Sequence, residues 1–344
     1  MKYTVLSNTS IKISKICLGT MTFGKQNTEK EGHQQMDLAV DKGINFFDTA
    51  ELYPVPAEKE TYGRTEEIIG TWFKKNKNRE KIILASKIAG PGDYTKHIRT
   101  NGFSKDAISE AIDKSLKRLQ TDYIDLYQLH WPERYTNTFG IRGFNPNSNN
   151  KWNENFQETL ETLQGFIKSG KIRHIGLSNE NPWGIMRYNE LSKSGLPKMI
   201  TVQNSYSLLN RTYEIGNSEI SIQENIGLLA YSPLACGELT GKYIKGLDSK
   251  DSRLNLFKKF VRYSNENCKL ATKKYDELAC KHNLSLTQMA LAFVNSRPFV
   301  TSNIIGATNL KQLKENIESI NVELSREILH EIEKIYMQIP DPAC

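Results

Sequence analysis

Phe46-Phe47-Asp48-Thr49-Ala50-Glu51-Leu52-Tyr53 begins with two aromatic residues and then turns abruptly polar. Ile82-Ile83-Leu84-Ala85-Ser86-Lys87 and Ile124-Asp125-Leu126-Tyr127-Gln128-Leu129-His130 repeat the arrangement, each a short apolar run ending on a group capable of chemistry. Runs of this length read as buried strands. In a barrel of parallel strands the C-termini gather on one rim, where catalytic groups converge. Asp48, Tyr53, Lys87 and His130 are therefore expected to meet there.

Outward from these three runs, similar strands are expected at 16–18, 45–48, 82–87, 124–129, 172–178, 201–203, 228–231 and 303–305, with amphipathic helices between them. Ser104 is a good N-cap for a helix over 104–119, in which Ile108, Ile112, Leu116 and Leu119 line one face. Phe156, Leu160, Leu163 and Ile167 line another before Gly170 stops it. Alternating strands and helices, eight times over, predict an α/β fold, the (β/α)8 TIM barrel, as a single domain over residues 1–344. Residues 3–14 predict an N-terminal β-hairpin with Asn8 in its turn, and additional C-terminal helices at 268–282, 286–295 and 325–337 are expected outside the barrel.

Three connections exceed the short loops of such a fold: 54–62, 89–103 and 132–151. All follow strands that carry the candidate residues. Either they are tolerated surface insertions, or they wall a substrate pocket, which is the favoured reading because loops on that rim set specificity.

The 344 residues are 38% hydrophobic and 25% charged, an ordinary composition for a soluble globular chain. Lys and Arg exceed Asp and Glu by 46 to 39, but they are scattered, so no nucleic-acid partner is expected. A few of those charges would serve an anionic small ligand. Five cysteines, Cys17, Cys236, Cys268, Cys280 and Cys344, form no CxxC pair, and neither a disulfide framework nor a metal site is expected. The N-terminus lacks the apolar core of a signal peptide and no run reaches the roughly 20 apolar residues of a membrane span. A cytoplasmic protein without a membrane partner is the expectation.

A phenol, an ammonium, a carboxylate and an imidazole make a proton-donating site. Reducing a carbonyl leaves an alkoxide that needs a proton, and a phenol of pKa about 10 is a poor donor unless a nearby cation raises its acidity. Lys87 is expected to do that, with Asp48 holding Lys87 charged and His130 binding the carbonyl oxygen. Hydride must come from a cofactor, because no side chain supplies it.

The chain resembles the aldo-keto reductase family, most closely its Tas-type branch, which includes potassium-channel β-subunit-like and glyceraldehyde-3-phosphate-reductase-like members. The resemblance spans essentially the whole chain. It is carried by Gly19-Thr20-Met21-Thr22-Phe23-Gly24, Asp48 to Tyr53, Leu129-His130-Trp131-Pro132, Gly176-Leu177-Ser178-Asn179, Tyr231-Ser232-Pro233-Leu234-Ala235-Cys236-Gly237 and Ile305-Gly306-Ala307-Thr308. It implies that Asp48, Tyr53, Lys87 and His130 are the catalytic tetrad, and that NADPH or NADP is bound without a GxGxxG fingerprint, with NADH left open. By family position Ser178, Asn179 and Gln203 would bind the nicotinamide carboxamide and Tyr231 would stack under the ring. Ser232, Leu234 and Gly237 would line the pyrophosphate, Lys242 and Arg253 would add charge, and Thr308, Gln312, Glu315 and Asn316 would surround the adenosine. Gly237 and Gly241 read equally well as a plain turn. Gly306 and Gln312 stand where many members carry Lys and Arg against a 2′-phosphate, and in the channel-β-like branch an arginine corresponding to Arg253 compensates. Met21, Phe23 and Trp131 would face the substrate, or are ordinary core packing.

The resemblance implies reduction of a small-molecule aldehyde or ketone, with ordered binding and 4-pro-R hydride transfer. A regulatory cofactor-binding subunit like the channel β-subunits is the competing expectation. A Schiff-base aldolase or isomerase at Lys87 is disfavoured, because a lysine paired with Asp48 stays protonated.

Overall fold

The computed structural model of the chain describes residues 1–149, 152–258 and 260–344. Its strands are β1 (Tyr3–Val5), β2 (Lys12–Ser14), β3 (Ile16–Gly19), β4 (Phe46–Asp48), β5 (Ile83–Ile88), β6 (Ile124–Leu129), β7 (Ile172–Ser178), β8 (Met199–Ser205), β9 (Gly227–Tyr231) and β10 (Val300–Ile305). β3 to β10 pair in sequence order, all parallel, and β10 returns to β3 to close the barrel. The eight expected strands are these eight, with β8 longer at both ends than its apolar centre indicated.

The helices are α1 (Glu29–Asp41), α2 (Arg64–Asn76), α3 (Lys105–Leu119), α4 (Phe156–Lys168), α5 (Pro182–Ser192), α6 (Tyr213–Gln223), α7 (Arg253–Leu256), α8 (Glu266–Lys281), α9 (Leu286–Asn295), α10 (Leu310–Glu318) and α11 (Arg326–Gln338). Ser104 caps α3 by accepting from the Ala107 N–H, and Gly170 follows α4 in the left-handed region. The expectation that three late helices are additions needs correction. α8 and α9 lie within the β9-to-β10 connection, and of the three only α11 follows the last barrel strand. Periodicity finds a helix without telling which strands it joins.

Alternation along the strands builds two cores and orients the site. Phe46, Ala85, Leu126, Ile200, Leu229 and Ile304 pack together on the barrel axis, while Phe47, Leu84 and Val202 point outward into the core beneath the helices. Leu6 and Ile13, on either side of the β1–β2 turn with Asn8 left-handed, join the axial core. The hairpin thus plugs the N-terminal end of the barrel and leaves chemistry to the other end. Two residues beyond Phe46, Ala85 and Leu126, the same parity directs Asp48, Lys87 and Gln128 inward at that open end.

Candidate active site

Lys87 is fully buried, and its Nζ donates to Asp48 Oδ2 at 2.7 Å and to the Thr49 carbonyl at 2.7 Å. The other Asp48 oxygen accepts from Gln203 Nε2 at 2.7 Å and Gln128 Nε2 at 3.4 Å. The Tyr53 ring lies 5.0 Å from the Lys87 ammonium and meets the His130 ring edge-on at 5.8 Å. Three successive strand ends thus bring together the four groups picked out in the sequence.

The electrostatics differ from the expectation in one respect. Burial pushes the Tyr53 phenol well above its ordinary value, with Asp48 adding to the rise and Arg253 opposing it. Burial therefore outweighs any acidifying effect of Lys87, whose ammonium donates to Asp48 and the Thr49 carbonyl and stands over the ring. Burial also lowers Lys87, against the pull of Asp48. His130 is pushed well below the usual imidazole range, first by burial and then by Lys87, so its ring is neutral at pH 7. His130 Nδ1 is buried without a hydrogen-bond partner among the described residues.

The turn bearing Tyr53 is stitched to β5. Thr49 N–H donates to the Ala85 carbonyl at 2.9 Å, Glu51 N–H to the Lys87 carbonyl at 3.2 Å, and Ala89 N–H to Glu51 Oε1 at 2.6 Å. Arg99 forks onto both Glu51 oxygens, its Nη2 at 2.8 Å from Oε2, and Tyr62 donates to the same carboxylate. Arg99 was not foreseen from sequence, since it lies in a long loop with no periodicity.

Around Tyr53 packs an apolar cluster of Ala50, Leu52, Ala89 and Trp131, edged by Met21, Val55, Ala57 and Ile98. Trp131 packs on His130 at 4.9 Å, on Tyr94 at 5.4 Å and on Phe139 at 6.2 Å, and its Nε1 donates to the Pro91 carbonyl. A Cβ on Gly90 would stand 2.4 Å from Trp131 Nε1, so glycine is what admits the indole. All three long connections contribute residues to this packing, although residues 150 and 151 of the third lie outside the described residues. Phe23 does not join them. Its ring is fully buried against Gly32 and Ile68 in the core beneath α1 and α2, because the turn after β3 carries it outward.

On the neighbouring strand ends, Ser178 Oγ donates to the Gln203 carbonyl at 2.8 Å. Asn179 Nδ2 donates to the His130 carbonyl at 2.9 Å, and the Tyr231 hydroxyl donates to Asn179 Oδ1 at 2.6 Å. Gln203 commits its NH2 to Asp48 and Gln128. After β9, Ser232, Ala235, Cys236 and Gly237 all have positive φ, a strained run rarely kept by non-glycine residues without a function. Leu234 is half-buried within it. A Cβ on Gly237 would come 3.0 Å from Lys242 Cε and Nζ, so the ammonium lies directly over the glycine.

Arg253 crosses the barrel mouth. Its Nη1 donates to Gln26 Oε1 at 2.6 Å and its Nη2 to the Val55 carbonyl at 3.4 Å, while Phe257 and Phe260 flank the guanidinium. Asn27, beside Gln26, donates to the Thr308 carbonyl at 2.9 Å. Gln312 folds back to accept from Thr308 N and Oγ1, Asn316 donates to the Gly306 carbonyl, and Glu315 accepts from Ser285. Gln26 and Asn27 escaped the sequence reading, their partners being over 200 residues away.

These residues fit the dinucleotide that the family resemblance implies. Among the described residues neither Lys242 nor Arg253 has a carboxylate within ion-pair distance, so two cations beside a left-handed backbone turn are free to meet a pyrophosphate. All five cysteines are unpaired. The expectation of no metal-ligand cluster meets one exception on the outer surface, where ligand atoms of His282, Glu327 and Glu331 lie within 4.8 Å of one another. No described helix is long and apolar enough to cross a membrane.

Comparison with known proteins agrees with this geometry. The model of the aldo/keto reductase family matches residues 15–337. Protein tas of Escherichia coli (strain K12) is 47% identical over the full length of both chains. The uncharacterized oxidoreductase YrpG of Bacillus subtilis (strain 168) is 35% identical over 98% of this chain and 96% of its own. A probable voltage-gated potassium channel subunit beta of Arabidopsis thaliana is 30% identical over 99% of this chain and 98% of its own. With the barrel, the strand-end tetrad and these matches in hand, the chain belongs to the aldo/keto reductase family of oxidoreductases.

Proposed function

We propose that this chain is an NADPH-dependent oxidoreductase that reduces aldehyde or ketone carbonyls to alcohols, with Tyr53 as general acid. The observation that carries this reading is the meeting of Tyr53 with both His130 and the buried Lys87–Asp48 pair beside an apolar cluster. The nicotinamide, when bound, supplies hydride to the carbonyl carbon. Tyr53, held protonated by burial, gives its hydroxyl proton to the carbonyl oxygen. Asp48 and the Thr49 carbonyl hold Lys87 in place, so the phenolate that forms faces a fixed cation. Neutral His130 orients the carbonyl oxygen, and Trp131 with Met21 excludes water. Ser178, Asn179, Gln203 and Tyr231 would hold the nicotinamide end. Ser232, Leu234, Gly237, Lys242 and Arg253 would hold the phosphates, and Thr308, Gln312, Glu315 and Asn316 the adenosine. The five unpaired thiols favour a cytoplasmic location.

Loss of NADPH absorbance over a panel of small aldehydes, ketones and sugar phosphates tests the proposal. Turnover with NADPH supports it, and no turnover with any carbonyl sinks it. The relative named as a channel β-subunit favours a second reading, a cofactor-binding regulatory subunit. Stable capture of a membrane partner together with very slow turnover would favour that reading.

A further inference from the structure

Contacts around the barrel mouth form a closed circuit that contains one charged residue with no part in the chemistry above, Arg262. Tyr53 meets His130, His130 meets Trp131, and Trp131 meets Phe139. The next residue, Gly140, lies so close to Arg262 that a Cβ on it would stand 3.9 Å from Arg262 Cβ and Cδ. Arg262 in turn approaches the Tyr231 hydroxyl and the Cys236 thiol. Burial pushes both groups up in pKa; the Arg262 charge opposes the rise at Tyr231, and at Cys236 Arg253 opposes it first and Arg262 second. Tyr231 bonds Asn179, and Asn179 bonds the His130 carbonyl, closing the circuit.

Arg262 is firmly placed. Its carbonyl accepts from Asn265 Nδ2 at 2.9 Å and Cys268 Sγ at 3.3 Å at the start of α8, and its guanidinium lies 4.6 Å from the centre of the Tyr263 ring. The groups that bear most on its charge are two phenols and a thiol, Tyr231, Tyr263 and Cys236, all neutral in the ordinary state, and the main-chain oxygen of Cys344 lies beside the same Gly140. Among the described residues no carboxylate comes within ion-pair distance of it. Two buried arginines at this end of the barrel are ion-paired, Arg99 forked onto Glu51 and Arg134 onto Glu180, whereas Arg262, like Arg253, has no carboxylate partner among the described residues. An unpaired guanidinium held half-buried in a rim is costly unless a ligand supplies the anion. Lys242 and Arg253 flank the left-handed turn after β9, whereas Arg262 stands between Tyr231 and the tip of the loop that carries Phe139 over Trp131.

We infer that Arg262 is a specificity-determining residue that binds an anionic substituent of the substrate, so the preferred substrates are small aldehydes or ketones carrying a carboxylate or phosphate. The inference rests on the reductase reading for the word substrate, but the contact itself can be read without turnover. Trp131 and Phe139 cover the carbon skeleton, Tyr53 and His130 take the carbonyl oxygen, and Arg262 takes the far anion. Nothing covalent changes at Arg262.

Succinic semialdehyde and butanal share a four-carbon chain and an aldehyde but differ in the terminal carboxylate, so the ratio of their kcat/KM values isolates the anion. The wild-type ratio should favour succinic semialdehyde. Arg262→Gln should lower that ratio about ten- to hundredfold, the worth of one charge-assisted contact, and Arg262→Lys should restore part of it. A wild-type ratio near one, or a ratio unchanged by Arg262→Gln, overturns the inference while leaving the reductase reading intact. Calorimetric titration of the NADP⁺-saturated protein with succinate gives a readout independent of turnover. If no carbonyl turns over but succinate binds wild type and not Arg262→Gln, the reductase reading falls and the anion site stands. Absence of succinate binding to wild type counts against the site. The cofactor pyrophosphate is the other source of anionic oxygens. If Arg262→Gln weakens NADPH in a fluorescence titration by a similar factor while the substrate ratio holds, Arg262 serves the cofactor and the inference is overturned.

Discussion

The Lys87 ammonium stands 5.0 Å from the centre of the Tyr53 ring while it donates to Asp48 Oδ2 and the Thr49 carbonyl, both at 2.7 Å. A cation committed in this way does not pull the proton from the phenol before reaction; it waits for the charge that reaction creates. Preorganised charge of this kind stabilises the transition state without reorganising at the moment of reaction. Lys87→Met should therefore lower turnover. It should also destabilise the fold, since Asp48 would be left buried without its counter-ion, a loss of about 3–5 kcal/mol. Denaturant titration beside steady-state kinetics separates the two effects, and an unchanged midpoint would show that Gln203 and Gln128 alone satisfy Asp48.

Arg253 is expected to set cofactor preference. Its guanidinium is tethered to Gln26 and to the Val55 carbonyl, yet has no carboxylate partner, so a 2′-phosphate can recruit it. Arg253→Ala should weaken NADPH about ten- to hundredfold and NADH less. Equal losses for both cofactors would assign Arg253 to the pyrophosphate or to the fold alone.

His130 makes stability depend on pH in a defined direction. Its pKa in the folded chain lies well below the ordinary value of about 6.5, so the unfolded chain takes up that proton more readily. The corresponding stability is fully present above pH ~6.5 and is lost as the pH falls through that value towards the folded pKa. The half-buried His174 shifts the same way for the same first reason, so a variant is needed to single out one ring. His130→Gln should lose less stability than wild type between pH 7.5 and 5.5, read from urea midpoints. Parallel losses would place the effect elsewhere.

Arg99 holds the Tyr53 turn from below through Glu51. Arg99→Met strands a fully buried carboxylate that also bonds the Ala89 N–H and Tyr62, and a loss of about 3–5 kcal/mol is expected. Arg99→Met/Glu51→Gln removes both charges and should recover part of the stability. If the double variant were no more stable than the single one, the pair's charges would not be what matters.

What was legible in the sequence followed the periodicity. Phe46 and Phe47 before Asp48, or Ala85 before Lys87, locate a strand, its inward parity and its end at once, and that is enough to place the tetrad. Phe23 shows where this fails: beyond the end of β3 no period tells which side of the turn faces the pocket, and the ring went into the outer core. Arg99, Gln26 and Arg262 lie in aperiodic loops, and their significance depends on partners brought near only by closure of the barrel. Tyr53 was visible, but its electrostatic state was not, since burial outweighs the neighbouring cation and no local pattern reports burial of a loop residue.

Tyr53 is the residue on which the chemistry turns. In the proposed mechanism its hydroxyl is the proton source that packing cannot replace, and its ring packs against His130, Lys87 and the apolar cluster. Tyr53→Phe keeps the ring volume and these contacts, so folding and NADPH binding should survive. Removing a general acid typically costs 10²–10⁴-fold, and the turnover number should fall by about that factor. Fluorescence titration with NADPH alongside single-turnover reduction of the best aldehyde checks both halves. Normal NADPH affinity with a wild-type rate of reduction would mean that another group supplies the proton, and the assignment of Tyr53 as the acid would be withdrawn.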